Sequence, residues 1–292
     1  MQVGMTLPVI EPGFNRDILQ RWAVTIDRGP FSSLAAGERV AFPNPELMTA
    51  LAACAAWTER VRLSTTVIVA QLHNPLMLAK QLATIDILSN GRLTVGLGVG
   101  GRLDDYRAAG ADFSLRTQAE LSERAALLRR VWAGEKVVDE LLRPVEPAPV
   151  QRGGPPLLAG AQGPKSIRAA AQWADGITGF SFGADPRDIE QTVALARTAW
   201  QEAGRPAPRL VFGFWYRFGG DAREQMATHL RRYFNWIPAA EVEAMLPAVG
   251  FTGSEAQFKT LLGQLDALGV DEVLPIPTSW DLDQVERVAA LL

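Results

Sequence analysis

The chain has 292 residues, 48% of them hydrophobic and 21% charged, with 29 Lys+Arg against 32 Asp+Glu and a formal net charge of −3. A balanced composition of this kind excludes a disordered chain, a collagen-like fibre and a coiled coil, and the absence of a positive excess argues against a nucleic-acid binder. One cysteine allows no internal disulfide, and two histidines argue against a His-rich metal site.

The N-terminal stretch Met1–Pro8 has no basic n-region and no signal-type apolar core, so secretion is not expected. The longest apolar stretch, around Ala50–Trp57, is far shorter than the roughly 20 residues of a membrane span. A cytoplasmic enzyme is therefore the expectation, with Cys54 as a buried core thiol.

Periodicity predicts the elements in turn. Val3–Leu7 reads as a strand. Arg16–Arg28 reads as a helix with Ile18, Leu19, Trp22 and Ile26 on one face. Phe31–Ala36 is a short strand and Pro45–Glu59 a helix. The β-branched run Val61–Val69 is a strand, and Pro75–Leu88 a helix closed by Asn90-Gly91. Leu93–Val99 is a glycine-dense strand and Gln118–Trp132 a helix. Pro156–Ala159 is a strand, Ser166–Trp173 a helix, and Gly176–Phe180 a strand. Asp185-Pro186 has the form of an N-cap followed by Pro at the first helical position, opening a helix to about Ala203. Arg209–Tyr216 is a strand, Arg223–Phe234 and Glu255–Leu268 are helices, Val270–Ile276 is a strand, and Asp281–Leu291 is the last helix.

Eight strands each followed by a helix, at about 36 residues per unit, fit a closed (β/α)₈ TIM barrel. An open doubly wound sheet is the alternative. No composition break divides the chain, so a single domain over residues 1–292 is expected. Val137–Pro156 and Phe234–Thr252 are surplus to the barrel and are expected as insertions at its mouth. Barrel chemistry lies at the carboxyl ends of the strands.

Three motifs compete for a functional reading. Gly96-Leu97-Gly98-Val99-Gly100-Gly101 matches the dinucleotide fingerprint, but no acidic strand end follows about 20 residues later. The better reading is a strand whose backbone lies close to a flat ligand. Gly179-Phe180-Ser181-Phe182-Gly183 matches the nucleophile elbow, with Asp185, Asp188 or Asp221 and then His229 in permissible order. However, His229 falls in a helical pattern, and no oxyanion segment precedes it. A serine hydrolase through Ser181 is thus a distant alternative. Gly160-Ala161-Gln162-Gly163-Pro164-Lys165-Ser166, between a strand and a helix, has the form of a phosphate cradle or of a plain βα turn.

A linked series of motifs resembles the bacterial luciferase-like monooxygenase family. It comprises Glu59-Arg60-Val61-Arg62-Leu63-Ser64-Thr65-Thr66-Val67, Asn74-Pro75, Leu78 through Arg92, Gly96–Gly100, Asp105-Tyr106 with Gly110, the Gly160–Ser166 loop and Ala174-Asp175-Gly176. These cover about residues 33 to 180, and the eight-unit pattern extends the likeness over the chain.

The resemblance implies a (β/α)₈ barrel that binds FMN or the deazaflavin coenzyme F420 at its mouth. It implies monooxygenation of a small apolar organic substrate with reduced FMN and dioxygen, or hydride transfer with F420. In the first case a separate flavin reductase would be the partner, and a homodimer is expected in both. Carried over residue by residue, a cis peptide is expected at Thr66–Val67. Leu7, Thr66, Val67, Gly100, Asp104, Gly160–Ser166 and Phe180 would bind the cofactor, with Arg102 reaching a phosphate or the substrate. Trp215 and Trp280, near the last two strand ends, would wall the substrate pocket. The family often has an acidic residue and then a catalytic His after the second strand; here the pair is Glu38-Arg39. An arginine cannot act as a general base, so Arg39 is expected to stabilise negative charge, unless the two form a structural ion pair. His73 is expected to be structural. A protein that binds flavin without turnover would share these motifs.

Overall fold

The computed structural model describes residues 1–8 and 10–292. Its strands are β1 (Gln2–Val3), β2 (Met5–Thr6), β3 (Ser33–Ala36), β4 (Arg62–Thr65), β5 (Ile68–Val69), β6 (Leu93–Gly98), β7 (Leu157–Ala159), β8 (Gly176–Phe180), β9 (Arg209–Tyr216) and β10 (Glu272–Pro277). The helices are α1 (Arg16–Arg28), α2 (Leu47–Trp57), α3 (Pro75–Leu88), α4 (Leu103–Ala109), α5 (Gln118–Trp132), α6 (Pro164–Ala170), α7 (Pro186–Glu202), α8 (Ala222–Tyr233), α9 (Ala239–Met245), α10 (Glu255–Ala267) and α11 (Asp283–Ala289).

All strand pairs are parallel, in the order β1-β10-β9-β8-β7-β6-β4-β3-β2, with β5 also on β6. β1 and β2 are two halves of one position, interrupted at Gly4; the first half joins β10 and the second joins β3, which closes the barrel. β4 and β5 likewise share one position, interrupted where the Thr66–Val67 peptide is cis. Eight positions remain, so the fold is the TIM barrel and not the open sheet.

The alternation of β-strand side chains decides what faces inward. Leu210, Phe212, Phe214 and Tyr216 of β9 pack into the main core, whereas Val211 joins Ala35, Leu158 and Leu274 in a separate inner cluster. By the same parity Gly213 and Trp215 point inward, and Phe180 of β8 sits in register with Gly213. The helices close the outside with ordinary caps: Asn15 accepts from the Ile18 amide at 3.0 Å, and Asp185 accepts from the Arg187 amide at 2.9 Å, with Pro186 opening α7.

The two surplus segments lie at opposite ends. The segment over residues 234–252 carries α9, and Phe234, Val242 and Val249 form a second core with Trp215, Met226, Leu230 and Ile276 at the mouth. The Gly250 amide donates to the Phe182 carbonyl and the Phe251 amide to that of Trp215. The segment over residues 137–156, expected at the mouth, instead runs along α3 to the amino end. Gln151 Nε2 donates to Asp86 Oδ1 and to the carbonyl of Leu93, the first residue of β6, both at 2.7 Å. It follows a helix and precedes a strand, and such connections lie at the amino end of a barrel.

Candidate active site

The carboxyl ends of the strands surround a cavity of about 510 Å³, within the usual range for ligand sites. One wall is backbone: Thr66, Val67, Gly98, Val99, Gly100, Gly160 and Gly179 line it. A Cβ on Gly98 would come 2.8 Å from Val67 Cγ2, on Gly160 2.9 Å from Val67 Cγ1, and on Gly100 2.7 Å from Val69 Cγ1. The glycines therefore seat the interrupted strand, and they line the cavity as well. Gly100 also has φ +62°, a left-handed conformation that favours glycine.

Glu38 fixes this wall from behind. Its buried carboxylate accepts from the Val69 amide at 2.7 Å and pairs with His73 Nε2 at 2.7 Å, while its own amide donates to the Val67 carbonyl at 3.1 Å. Glu38 does not line the cavity, and Arg39 meets its carbonyl rather than its carboxylate, at 2.8 Å. No Glu38–Arg39 ion pair exists; His73 is the structural partner, as expected of it.

Arg39 and Arg102 both line the cavity. Arg39 donates through Nη2 to the Tyr233 hydroxyl, and its Nε is buried without a hydrogen-bond partner. The guanidinium of Arg102 lies 4.5 Å from the Phe42 ring centre, 4.7 Å from that of Tyr233 and 5.3 Å from that of Trp236, and it donates to the Tyr233 carbonyl. Burial and then the like charge of Arg39 pull the Arg102 pKa below its ordinary value, although an arginine keeps its proton in a protein. No carboxylate lines the cavity.

Aromatic rings make up much of the remaining lining. Phe180 meets Trp215 edge-on at 4.6 Å, and Trp215 meets Tyr233 at 4.8 Å; Phe182, Phe234 and Trp236 complete it. In the segment between β7 and α6, Gly160, Gln162, Gly163 and Ser166 reach the cavity. The Ser166 hydroxyl donates to the Gly163 carbonyl at 2.9 Å, and a Cβ on Gly163 would meet nothing within 4 Å.

Several expected residues lie elsewhere. Leu7 is buried beside Ala36 and Leu47 at the carboxyl end of β2 and does not line the cavity. Ala161 is buried, Pro164 opens α6, and Lys165 is exposed, none of them lining the cavity. Asp104 is exposed on α4 and meets Arg107 at 3.4 Å. Trp280 lies beyond the end of β10 and packs edge-on against Trp22 at 5.6 Å, its indole N–H donating to the Glu11 carbonyl at 3.1 Å. Thr178, Gln118, Phe182, Tyr233, Phe234 and Trp236 line the cavity without having been singled out as site residues. Only Thr178 left a usable signal, because it shares β8's inward parity with Phe180.

The hydrolase constellation does not assemble. His229 Nδ1 pairs with Glu11 at 2.7 Å, and Ser181 Oγ accepts from the Asp185 amide at 3.3 Å as part of a turn. Burial holds the His229 pKa below its ordinary value, against the opposing pull of Glu11. Cys54 is buried and its thiol is pushed up to about 12, as befits an inert core residue. No helix among the described residues is long and apolar enough to cross a membrane.

The family model for luciferase-like monooxygenases matches residues 4–271, and the chain belongs to that family. It is similar to 4-hydroxyprotoasukamycin monooxygenase of Streptomyces nodosus subsp. asukaensis, 30% identical over 209 residues (66% of this chain, 54% of that protein). It is similar, too, to an F420-dependent glucose-6-phosphate dehydrogenase of Nocardia farcinica, 33% identical over 197 residues (64% and 58%). The chain thus spans somewhat over half the length of these relatives. A solved F420-dependent secondary alcohol dehydrogenase, in complex with an F420-acetone adduct, shares the fold with a TM-score of 0.81 at 16% identity, covering 100% of this chain and 98% of that one.

Proposed function

We propose that this chain is an oxidoreductase that binds a flavin in the mouth cavity, taking reduced FMN and dioxygen to oxygenate a small organic substrate. The observation that carries the reading is the cavity's lining: glycines and backbone of the strand ends, aromatic rings, two guanidiniums and, among the described residues, no carboxylate. A flat, anionic cofactor fits such a slot, and the open Gly163 and Ser166 suit its phosphate end.

The bound flavin would supply two-electron chemistry, toward dioxygen for FMN or as a hydride carrier for F420. The chain's own contribution is positioning. Val67, seated between Gly98 and Gly160, would support the ring. Thr66 and Thr178, whose hydroxyls lie 3.2 Å apart, offer hydrogen bonds at its edge. Arg39 favours negative charge developing near it. Phe180, Trp215 and Phe234 exclude water, which strengthens each of these interactions. Relatives are named both as a flavin-dependent monooxygenase, oxygenase component, and as an F420-dependent dehydrogenase, and a separate reductase would supply the reduced FMN.

A titration of the protein with FMN, reduced FMN and F420, followed by flavin absorbance and fluorescence, tests the reading. Preference for FMN, above all its reduced form, supports the oxygenase. Tight F420 binding with weak FMN binding makes the chain a hydride-transfer enzyme. Binding of none of them up to about 100 μM removes the flavin reading.

A further inference from the structure

We infer that Arg39 and Tyr233 form a carboxylate-binding subsite in the mouth cavity, so that the substrate is an amphipathic aromatic acid rather than an apolar molecule. This inference deepens the flavin reading and rests on it. Arg39 is a cation without a counter-ion: the one carboxylate beside it in sequence, Glu38, is spent on the Val69 amide and His73. Its Nη1 and Nη2 meet only neutral partners, the Glu38 carbonyl and the Tyr233 hydroxyl, while the side chain lines the cavity, so its charge is answered by nothing among the described residues. Arg102, the second guanidinium of the cavity, also makes no ion pair. Asp105 on α4, whose charge Arg102 feels, accepts instead from the Val40 and Ala41 amides, each at 2.9 Å.

The Tyr233 oxygen accepts from Arg39, which leaves its own proton free to be donated. A guanidinium fork and a phenol hydroxyl side by side match the two oxygens of a carboxylate. The same tyrosine ring touches Trp215 and Phe234, at 4.8 and 4.9 Å between centres. An anion held by Arg39 and Tyr233 therefore carries its body against the aromatic wall of Phe180, Phe182 and Trp215.

The anion has a second source, the phosphate of the cofactor itself, and the experiment separates the two. Cofactor-loaded protein is titrated with benzoate and naphthoate and with their neutral counterparts, benzamide and naphthamide. Quenching of tryptophan fluorescence reports binding, because Trp215 and Trp236 line the cavity. The acids are expected to bind without displacing cofactor and more tightly than the amides. Arg39→Gln should weaken the acids about 10- to 100-fold and leave the amides little changed, Arg39→Lys should weaken them less, and Tyr233→Phe by about 3- to 10-fold. Equal binding of acids and amides overturns the inference, as does an Arg39→Gln variant that keeps its thermal midpoint and its affinity for the acids. Arg39→Gln weakening FMN but not riboflavin, or displacement of FMN by benzoate, assigns the anion to the cofactor and also overturns it. Cofactor binding without acid binding removes this subsite alone, whereas failure to bind any flavin removes the reading beneath it.

Discussion

At the amino end of the barrel, Glu272 is buried, and its carboxylate accepts from Arg209 at 2.7 Å and from the hydroxyls of Ser32 and Ser33, both at 2.6 Å. At the carboxyl end, Arg39 and Arg102 reach rings, carbonyls and a phenol, but no carboxylate. Both ends put arginines in half-buried surroundings. Arg209 is neutralised from within, as are Arg217 and Arg232 at the carboxyl end by Asp221, Asp281 and Glu11, and removing one partner of such a pair strands the other charge. Arg39 and Arg102, the two that line the mouth cavity, make no such pair among the described residues and leave their positive charge for something that arrives. The contrast is thus between a paired arginine cluster and an unpaired couple in the cavity, in line with where barrels place chemistry.

The sharpest way to break this contrast is Glu272→Ala. It strands Arg209, with Arg62 already depressed by burial and by its neighbour Arg209, and should cost about 3–5 kcal/mol. Denaturant midpoints read the loss; a cost under about 1 kcal/mol would show that the paired cluster is not a stabilising one.

Gly98→Ala comes next. The new methyl meets Val67 at 2.8 Å, so about 1–3 kcal/mol is expected together with weaker flavin binding. Gly101→Ala, where nothing lies within 4 Å, should stay within about 0.5 kcal/mol. Equal effects of the two substitutions would remove the seating role given to the glycines.

A smaller effect comes from His229. Its pKa is lowered on folding, chiefly by burial, so the unfolded chain takes up a proton that the folded chain resists. Stability is then held above the ordinary histidine value of about 6.5 and falls as the pH drops below it. His229→Gln should flatten the dependence of the thermal midpoint between about pH 7 and 5; an unchanged slope would mean that other groups set it. The smallest effect belongs to Asp104→Ala, expected within about 0.5 kcal/mol and neutral in the flavin titration, since the side chain is exposed and outside the cavity. A changed flavin affinity would restore Asp104 to the site.

The elements were legible because their signals are local. Arg16–Arg28, Pro75–Leu88, Gln118–Trp132, Gly176–Phe180 and Arg209–Tyr216 stand where periodicity and caps place them. The misses follow where local signals compete or are short. α4 is seven residues directly after a glycine run, and α9 is seven residues inside a surplus segment. The strand predicted over Val61–Val69 is broken in two at Thr66–Val67, and the β-branched pattern is the same on both sides of the break.

What the sequence determined by itself is the order of eight strand–helix units, the closed barrel they imply, the family, and the chain segments that reach the mouth, because hydrophobic period and turn chemistry are written along the chain. What only the tertiary structure decided is which side chains on those segments meet. Trp215 and Trp280 both lie near the ends of strands, yet one is an inward residue of β9 and the other folds back onto Trp22. Glu38 and Arg39 are neighbours, yet one turns into the wall and the other into the cavity. Tyr233 lies 194 residues from Arg39 and still takes its hydrogen bond. Parity, connection end and long-range closure set such pairings, and none of them is a property of a short stretch of sequence.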